Sequence, residues 1–171
     1  DGAESMAQIL LKNTTLEELR LGSSGVGARG ARALGEALKQ NTTLKILGLN
    51  YNVIGDDGAA AIAEALRWNE SLKVLHLSLC GLTDPGASSV LSALRESNSS
   101  LKYLSLLYND GIKDSTITDS IKKLLVENRA VNHTSAEQRA RCLLFCCLQL
   151  APAAHEHVVP SIGAVPVPVM Q

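Results

Sequence analysis

Several groups of residues have the types and spacing to do chemistry. Gly25-Val26-Gly27-Ala28-Arg29-Gly30 reads G-x-G-x-x-G, the spacing that brings a backbone close to a dinucleotide pyrophosphate at a helix start. Cys142, Cys146, Cys147, His155 and His157 are zinc ligands by type,. Asn13, Asn41, Asn69, Asn98 and Asn132 each open an N-x-S/T sequon, the acceptor for N-glycosylation. His76, His133, His155 and His157 are the histidines available as general bases,.

None of these groups holds up as a site. The acidic residue that a dinucleotide fingerprint needs roughly 20 residues further on is missing, because the next strand end reads Leu49-Asn50. Cys142 and Cys146 lie at i, i+4 among Leu143, Leu144, Phe145 and Leu148. They form no C-x-x-C pair and read as small buried apolar residues. The histidines have no Cys or Ser partner in a recognisable arrangement, and no P-loop, nucleophile elbow or H-E-x-x-H helix is present,. The expectation is a non-enzyme with no cofactor and no metal.

The elements that position these residues explain most of them. Asn13-Thr14-Thr15-Leu16 returns at Asn41, Asn69 and Asn98, each ending on a leucine: Leu16, Leu44, Leu72 and Leu101. The spacings are 44 − 16 = 28, 72 − 44 = 28 and 101 − 72 = 29. Each leucine opens L-x-x-L-x-L, whose last two leucines alternate as in a half-buried strand,. The period then changes. Ala59, Ile62, Ala63 and Leu66 form one helix face, as do Ala87, Val90, Leu91 and Leu94, and Ala31, Leu34 and Leu38,. Thr83 reads as an N-cap with Pro85 in the first turn, and Asp56 and Asp114 as caps of their own helices. Ile117, Ile121 and Leu124 define the fourth of these helices. Gly27 and Gly30 fall in register with Gly55 and Gly58, and Gly86 recurs at the latter place; there they let helix approach strand. The sequons are repeat turns, since Asn suits helix ends.

One strand-helix unit cannot bury both its leucines and its helix stripe, but stacked units can. The expected fold is an α/β solenoid, a horseshoe of right-handed β-α units with a parallel sheet on the concave face and helices on the convex face. The solenoid is expected over 1–128, as a partial N-terminal helix plus four strand-bearing repeats. A capping helix is expected over 129–150, with Ser135 and Gln138 as a capping box; docking of a partner and an altered reading frame are the alternatives for this segment. A Pro-rich extended or disordered tail is expected over 151–171. The chain opens Asp1-Gly2-Ala3 without Met or a signal-peptide pattern, the start expected of a fragment or a trimmed chain. Aromatics are only 3% of the 171 residues, so the core must be aliphatic. The net charge of −1 offers no field for nucleic acid or an anionic membrane, and no run of 18 apolar residues occurs,. Three of the four cysteines crowd into one stretch, which fits reduced thiols in a cytosolic or nuclear setting; a cytoplasmic protein is expected.

The segment from Leu44 through Asn50-Tyr51-Asn52 to Gly58, with the following Ala-Ile-Ala-Glu-Ala-Leu, resembles the ribonuclease-inhibitor-type leucine-rich repeat. The resemblance covers residues 2 to 128, and the subclass often has Asn or Cys where this chain has Asn52, Cys80 and Asn109. Ser24 departs from it, which predicts a weaker first turn. The same subclass occurs in the sensor halves of nucleotide-binding leucine-rich-repeat receptors and in the Ran GTPase-activating protein. The resemblance implies a protein-binding module, part of an innate-immune sensor, with small-GTPase regulation as the alternative.

Binding in a solenoid is read from the exposed strand positions. They form four columns: Glu18, Ile46, Val74, Tyr103; Arg20, Gly48, His76, Ser105; Gly22, Asn50, Ser78, Leu107; and Ser23, Tyr51, Leu79, Tyr108. The candidate face is Glu18, Arg20, Ile46, Asn50, Tyr51, Val74, His76, Leu79, Tyr103, Leu107 and Tyr108. All three tyrosines of the chain lie on it. The expected partner is a protein, with neither nucleic acid nor membrane, bound by a monomer. Trp68 is expected to cover the core edge.

Overall fold

The protein is described by a computed structural model over residues 2–130. The elements alternate: α1 (Gly2–Lys12), β1 (Glu18–Arg20), α2 (Ala28–Gln40), β2 (Ile46–Gly48), α3 (Gly55–Leu66), β3 (Val74–His76), α4 (Asp84–Glu96), β4 (Tyr103–Ser105) and α5 (Ser115–Ala130). The strands form one parallel sheet in the order β1-β2-β3-β4, and each helix packs against the next. This is the expected α/β leucine-rich-repeat solenoid. The zinc-type cysteines and histidines, the capping box and the Pro-rich stretch lie outside the described residues.

The hydrophobic alternation sets the register. Leu19, Leu47, Leu75 and Leu104 align across the sheet and point inward to meet the helix stripes. Leu44, Leu47, Leu49, Leu72, Leu75 and Leu77 are fully buried with Leu34, Leu38, Ile62 and Leu66. Each such side chain contributes roughly 2 kcal/mol, so stacked leucines are the main stabilising element.

Asparagine side chains hold the layers in place. At the turn from helix to strand, Asn69 donates its Nδ2 to the Leu38 and Asn41 carbonyls of the preceding layer (2.7 and 2.8 Å). Its Oδ1 accepts from the Ser71 and Leu72 amides. Asn41 and Asn98 repeat the arrangement. All three are buried, so as sequons they offer no accessible amide.

Two local expectations are corrected. The recurring glycines bring helix to helix rather than helix to strand. A Cβ on Gly30 would stand 2.7 Å from the Ala3 Cβ of α1, and one on Gly35 2.8 Å from the Ala61 carbonyl of α3. Gly27 meets nothing. Asp56 does not cap its own helix. Its carboxylate reaches the next layer and accepts from the Thr83 and Gly86 amides (2.8 and 3.1 Å) and the Thr83 hydroxyl. Thr83 is the N-cap residue of α4, but its side chain makes no cap bond of its own. Asp114 accepts from the Thr116 amide in its own helix. Trp68 does not cover the core edge. It is 60% exposed and donates to Glu64.

Candidate functional site

The strand face carries the candidate residues in the expected columns. Glu18, Ile46, Val74 and Tyr103 are register partners, as are Arg20, Gly48, His76 and Ser105. The parallel ladder continues beyond the strands. The Ser23 amide donates to the Asn50 carbonyl, the Tyr51 amide to Ser78 and the Leu79 amide to Leu107, each at 3.0 Å. The third and fourth columns are therefore held by the same backbone ladder as the first two.

Chemistry changes along the face. At its N-terminal end Glu18 and Arg20 pair with each other, and the Arg20 stem lies beside Gly48, 3.5 Å from where a Cβ would stand. In the middle, Ile46, Asn50, Val74 and His76 are half-buried. The Ser78 and Ser105 hydroxyls bond each other at 2.6 Å. At the C-terminal end the His76 and Tyr103 rings stand 5.4 Å apart, and Tyr103, Leu107 and Tyr108 are exposed. Polar character thus gives way to aromatic and aliphatic character across four layers.

The fourth column has a property that the columns alone did not reveal. Among the described residues Ser23, Tyr51, Leu79 and Tyr108 are the non-glycine residues with positive φ, at 55°, 60°, 54° and 58°. The chain turns through left-handed backbone at the same point of each repeat. The residue after this turn explains how the turn is held. Asn52 Oδ1 accepts from the Ser24 and Val26 amides (3.1 and 2.9 Å), and its Nδ2 donates to the Leu21 and Leu49 carbonyls. Asn109 does the same for the Cys80 and Leu82 amides and the Leu77 and Leu106 carbonyls. The turn at Ser24 is thus held from the next layer by Asn52, just as the turn at Cys80 is held by Asn109.

Cys80 substitutes for Asn in the series. Its Sγ donates to the Leu49 carbonyl at 3.2 Å. Burial pushes its thiol up from its ordinary pKa, with a smaller opposing effect from the Asn52 amide. The thiol stays protonated and buried, a poor nucleophile. Among the described residues no group of His, Cys, Asp or Glu is arranged to hold a metal ion, and no helix is long and apolar enough to cross a membrane.

Residues 12–35, 40–63 and 69–91 match a family profile described as "Leucine Rich repeat". Among solved structures, one titled "Leiomodin-1 Actin-Binding Site 2 (ABS2)" superposes with a TM-score of 0.59 at 19% identity, covering 87% of this chain and 96% of that one. The tropomodulin C-terminal domain of Caenorhabditis elegans superposes with a TM-score of 0.53 at 15% identity, covering 84% and 99%. No curated protein sequence matches. Repeats and fold together make this a leucine-rich-repeat solenoid. Its particular subclass rests on the sequence resemblance alone.

Proposed function

We propose that the protein is a non-catalytic interaction module that holds a protein partner against its strand face. The supporting observation is the left-handed column. Left-handed backbone costs a bulky L-residue on the order of 1–2 kcal/mol, and Asn or Gly avoids most of that. Tyr51, Leu79 and Tyr108 nevertheless occupy it, and they remain 64%, 38% and 71% exposed. The fold gains little from these side chains. Beside Tyr103 and Leu107 they make a contiguous apolar and aromatic surface, and rigid aromatic anchors of this kind dominate protein interfaces. Glu18 and Arg20 form its polar rim, with Ile46, Asn50, Val74 and His76 as its floor.

The finer reading rests on the repeat resemblance: a monomeric cytoplasmic sensing module of the nucleotide-binding leucine-rich-repeat receptor type. The similar leiomodin structure is an actin-binding site by name, so actin is the first defined partner to assay. The test replaces Tyr51, Leu79 and Tyr108 together by Asn, which suits their backbone. Wild type and variant are compared by proximity labelling with mass spectrometry and by actin co-sedimentation, with circular dichroism to establish folding. A partner lost from the folded variant supports the reading. Identical partner sets overturn it. Accelerated GTP hydrolysis by a small GTPase would replace it with the regulator reading.

A further inference from the structure

Among the described residues the fourth layer is the last. Leu75, Leu77 and Leu82 of the third layer are 0–1% exposed, whereas Leu104, Leu106 and Ile112 in the fourth are only partly buried. β4 pairs with β3 on one side, and among the described residues no strand pairs with the other. A cleft of about 440 Å³ opens there, lined by Leu106, Asn109 and Ile112 among others. Terminal repeats need a cover of some kind, because an open layer leaves core leucines and a strand edge in water.

The chain itself is delivered to this end. Asn128, at the close of α5, occupies the place of Asn41, Asn69 and Asn98. Its Nδ2 donates to the Asn98 and Leu101 carbonyls. Lys102 donates to the Asn128 carbonyl, and the Arg129 side chain to the Lys102 carbonyl. In each earlier layer the chain leaves this Asn turn directly into the next strand. Here the sequence continues Arg129-Ala130-Val131-Asn132-His133, without L-x-x-L-x-L. The next strongly apolar stretch is Cys142–Leu150, which contains Leu143, Leu144, Phe145 and Leu148 and no charged residue. From Ala130 to Cys142 is 142 − 130 = 12 residues, a reach of up to about 40 Å. That exceeds the thickness of one layer several times over, since neighbouring strands lie about 5 Å apart and packed helices about 8–10 Å apart.

We propose that segment 142–150 of the same chain docks on the open end of the fourth layer, over Leu104, Leu106, Ile112 and Leu124. The proposal is independent of the strand-face reading. Its natural reporters are the thiols, because Cys142, Cys146 and Cys147 lie in the docking segment while Cys80 is buried in the third layer.

The test is the rate of reaction with 5,5′-dithiobis(2-nitrobenzoate) in the full chain. All four thiols should react at least about a hundredfold more slowly in native buffer than in guanidinium, as expected of groups released only by opening. Three thiols reacting at the unfolded rate would overturn the proposal. With Leu106→Asp and Ile112→Asp together, three thiols should become fast while Cys80 stays slow, which also shows that the layers remain folded. Continued protection of all four overturns it. So does protection that disappears on dilution as a dimer dissociates in sedimentation, which would assign the end to a second copy. Should that variant unfold, Leu144→Asp with Phe145→Asp leaves the layers untouched. Hydrogen exchange should then speed up in β4 and not in β2; an unchanged β4 overturns the proposal.

Discussion

The carboxylate of Asp56, in α3, accepts the Gly86 amide of α4 at 3.1 Å, so one layer caps the helix of the next. A Cβ on Gly86 would fall inside contact distance of that carboxylate and 3.2 Å from the Asp56 Cα. Alanine is worth about 1 kcal/mol over glycine inside a helix. Here that gain is outweighed, because the methyl displaces a cap worth about 0.5–2 kcal/mol and crowds backbone that cannot retreat. Gly86→Ala is expected to destabilise the protein by about 1–2 kcal/mol. Urea denaturation of the two proteins would show it as a lower midpoint.

The same cap makes stability depend on pH. Burial opposes ionisation of Asp56, but hydrogen bonds from the Thr83 hydroxyl and the Thr83 and Gly86 amides outweigh it and hold the carboxyl below its usual value of 3.8. A group with a depressed folded pKa stabilises the fold above its unfolded pKa, and the contribution is lost as pH falls through the folded value. The stability gap between wild type and Asp56→Ala should therefore be constant above about pH 5 and shrink below about pH 4. Comparing the two proteins at each pH cancels carboxylates common to both. A gap independent of pH down to 3 would contradict this account.

From a buried position the Asn69 side chain makes four hydrogen bonds to backbone groups and accepts a fifth from the Ser71 hydroxyl. Asn69→Ala leaves carbonyls and amides of two layers without partners, each orphan costing about 1–3 kcal/mol. The expected loss is about 2–4 kcal/mol, allowing for partial relaxation. The Asn13 turn is the control. Asn13 accepts from the Thr15 and Leu16 amides at a more exposed site, so Asn13→Ala should cost less. Equal losses at both positions would show that burial is not what makes the turn matter.

Much of this was legible in the sequence because repetition supplies its own check. Period two at Leu47 and Leu49, then period near four at Ala59, Ile62 and Leu66, recurs at a fixed offset, and one register satisfies every copy. The Asn turns were legible for the same reason. What failed were interactions between layers. Asp56 and Gly86 are 30 residues apart, and local capping rules assign a carboxylate to its own helix. The recurring glycines were noticed, but which surface approaches them depends on the packing of α1 against α2 and α2 against α3. Asn128 was missed because an extra residue and the lost leucine pattern take it out of register. The candidate columns follow from strand alternation, whereas the left-handed fourth column does not: Tyr and Leu are not residues from which positive φ is read.

That column separates backbone preference from surface chemistry. Tyr108 has a φ of 58° and is 71% exposed. Asn tolerates this region, whereas a β-branched residue is crowded there. Tyr108→Asn should leave stability unchanged or raise it by up to about 1 kcal/mol, and Tyr108→Val should lower it by about 1–2 kcal/mol. Thermal unfolding of the pair tests this directly. If Val were tolerated as well as Asn, the backbone argument for a retained interface would lose its footing.

Cys80 offers the reverse experiment, restoring a residue that the series prescribes. Asn52 and Asn109 each bridge two amides of the preceding turn to two carbonyls. By the same geometry an amide side chain at position 80 would meet the Asn52 and Ile54 amides and the Leu49 and Leu77 carbonyls. Cys80 offers only its Sγ, which lies 3.2 Å from the Leu49 carbonyl and 3.5 Å from the Ser78 carbonyl. Asn is slightly larger than Cys in a site that is fully buried, and overpacking costs about 1–3 kcal/mol. Added hydrogen bonds return about 1 kcal/mol each, so Cys80→Asn should leave stability within about 1 kcal/mol of wild type. Cys80→Val has similar bulk and no hydrogen-bonding capacity, and should lose about 2 kcal/mol or more. Finding the Val variant as stable as the Asn variant would mean that position 80 is filled for volume alone, and that the Asn bridges on either side already suffice to hold the turn.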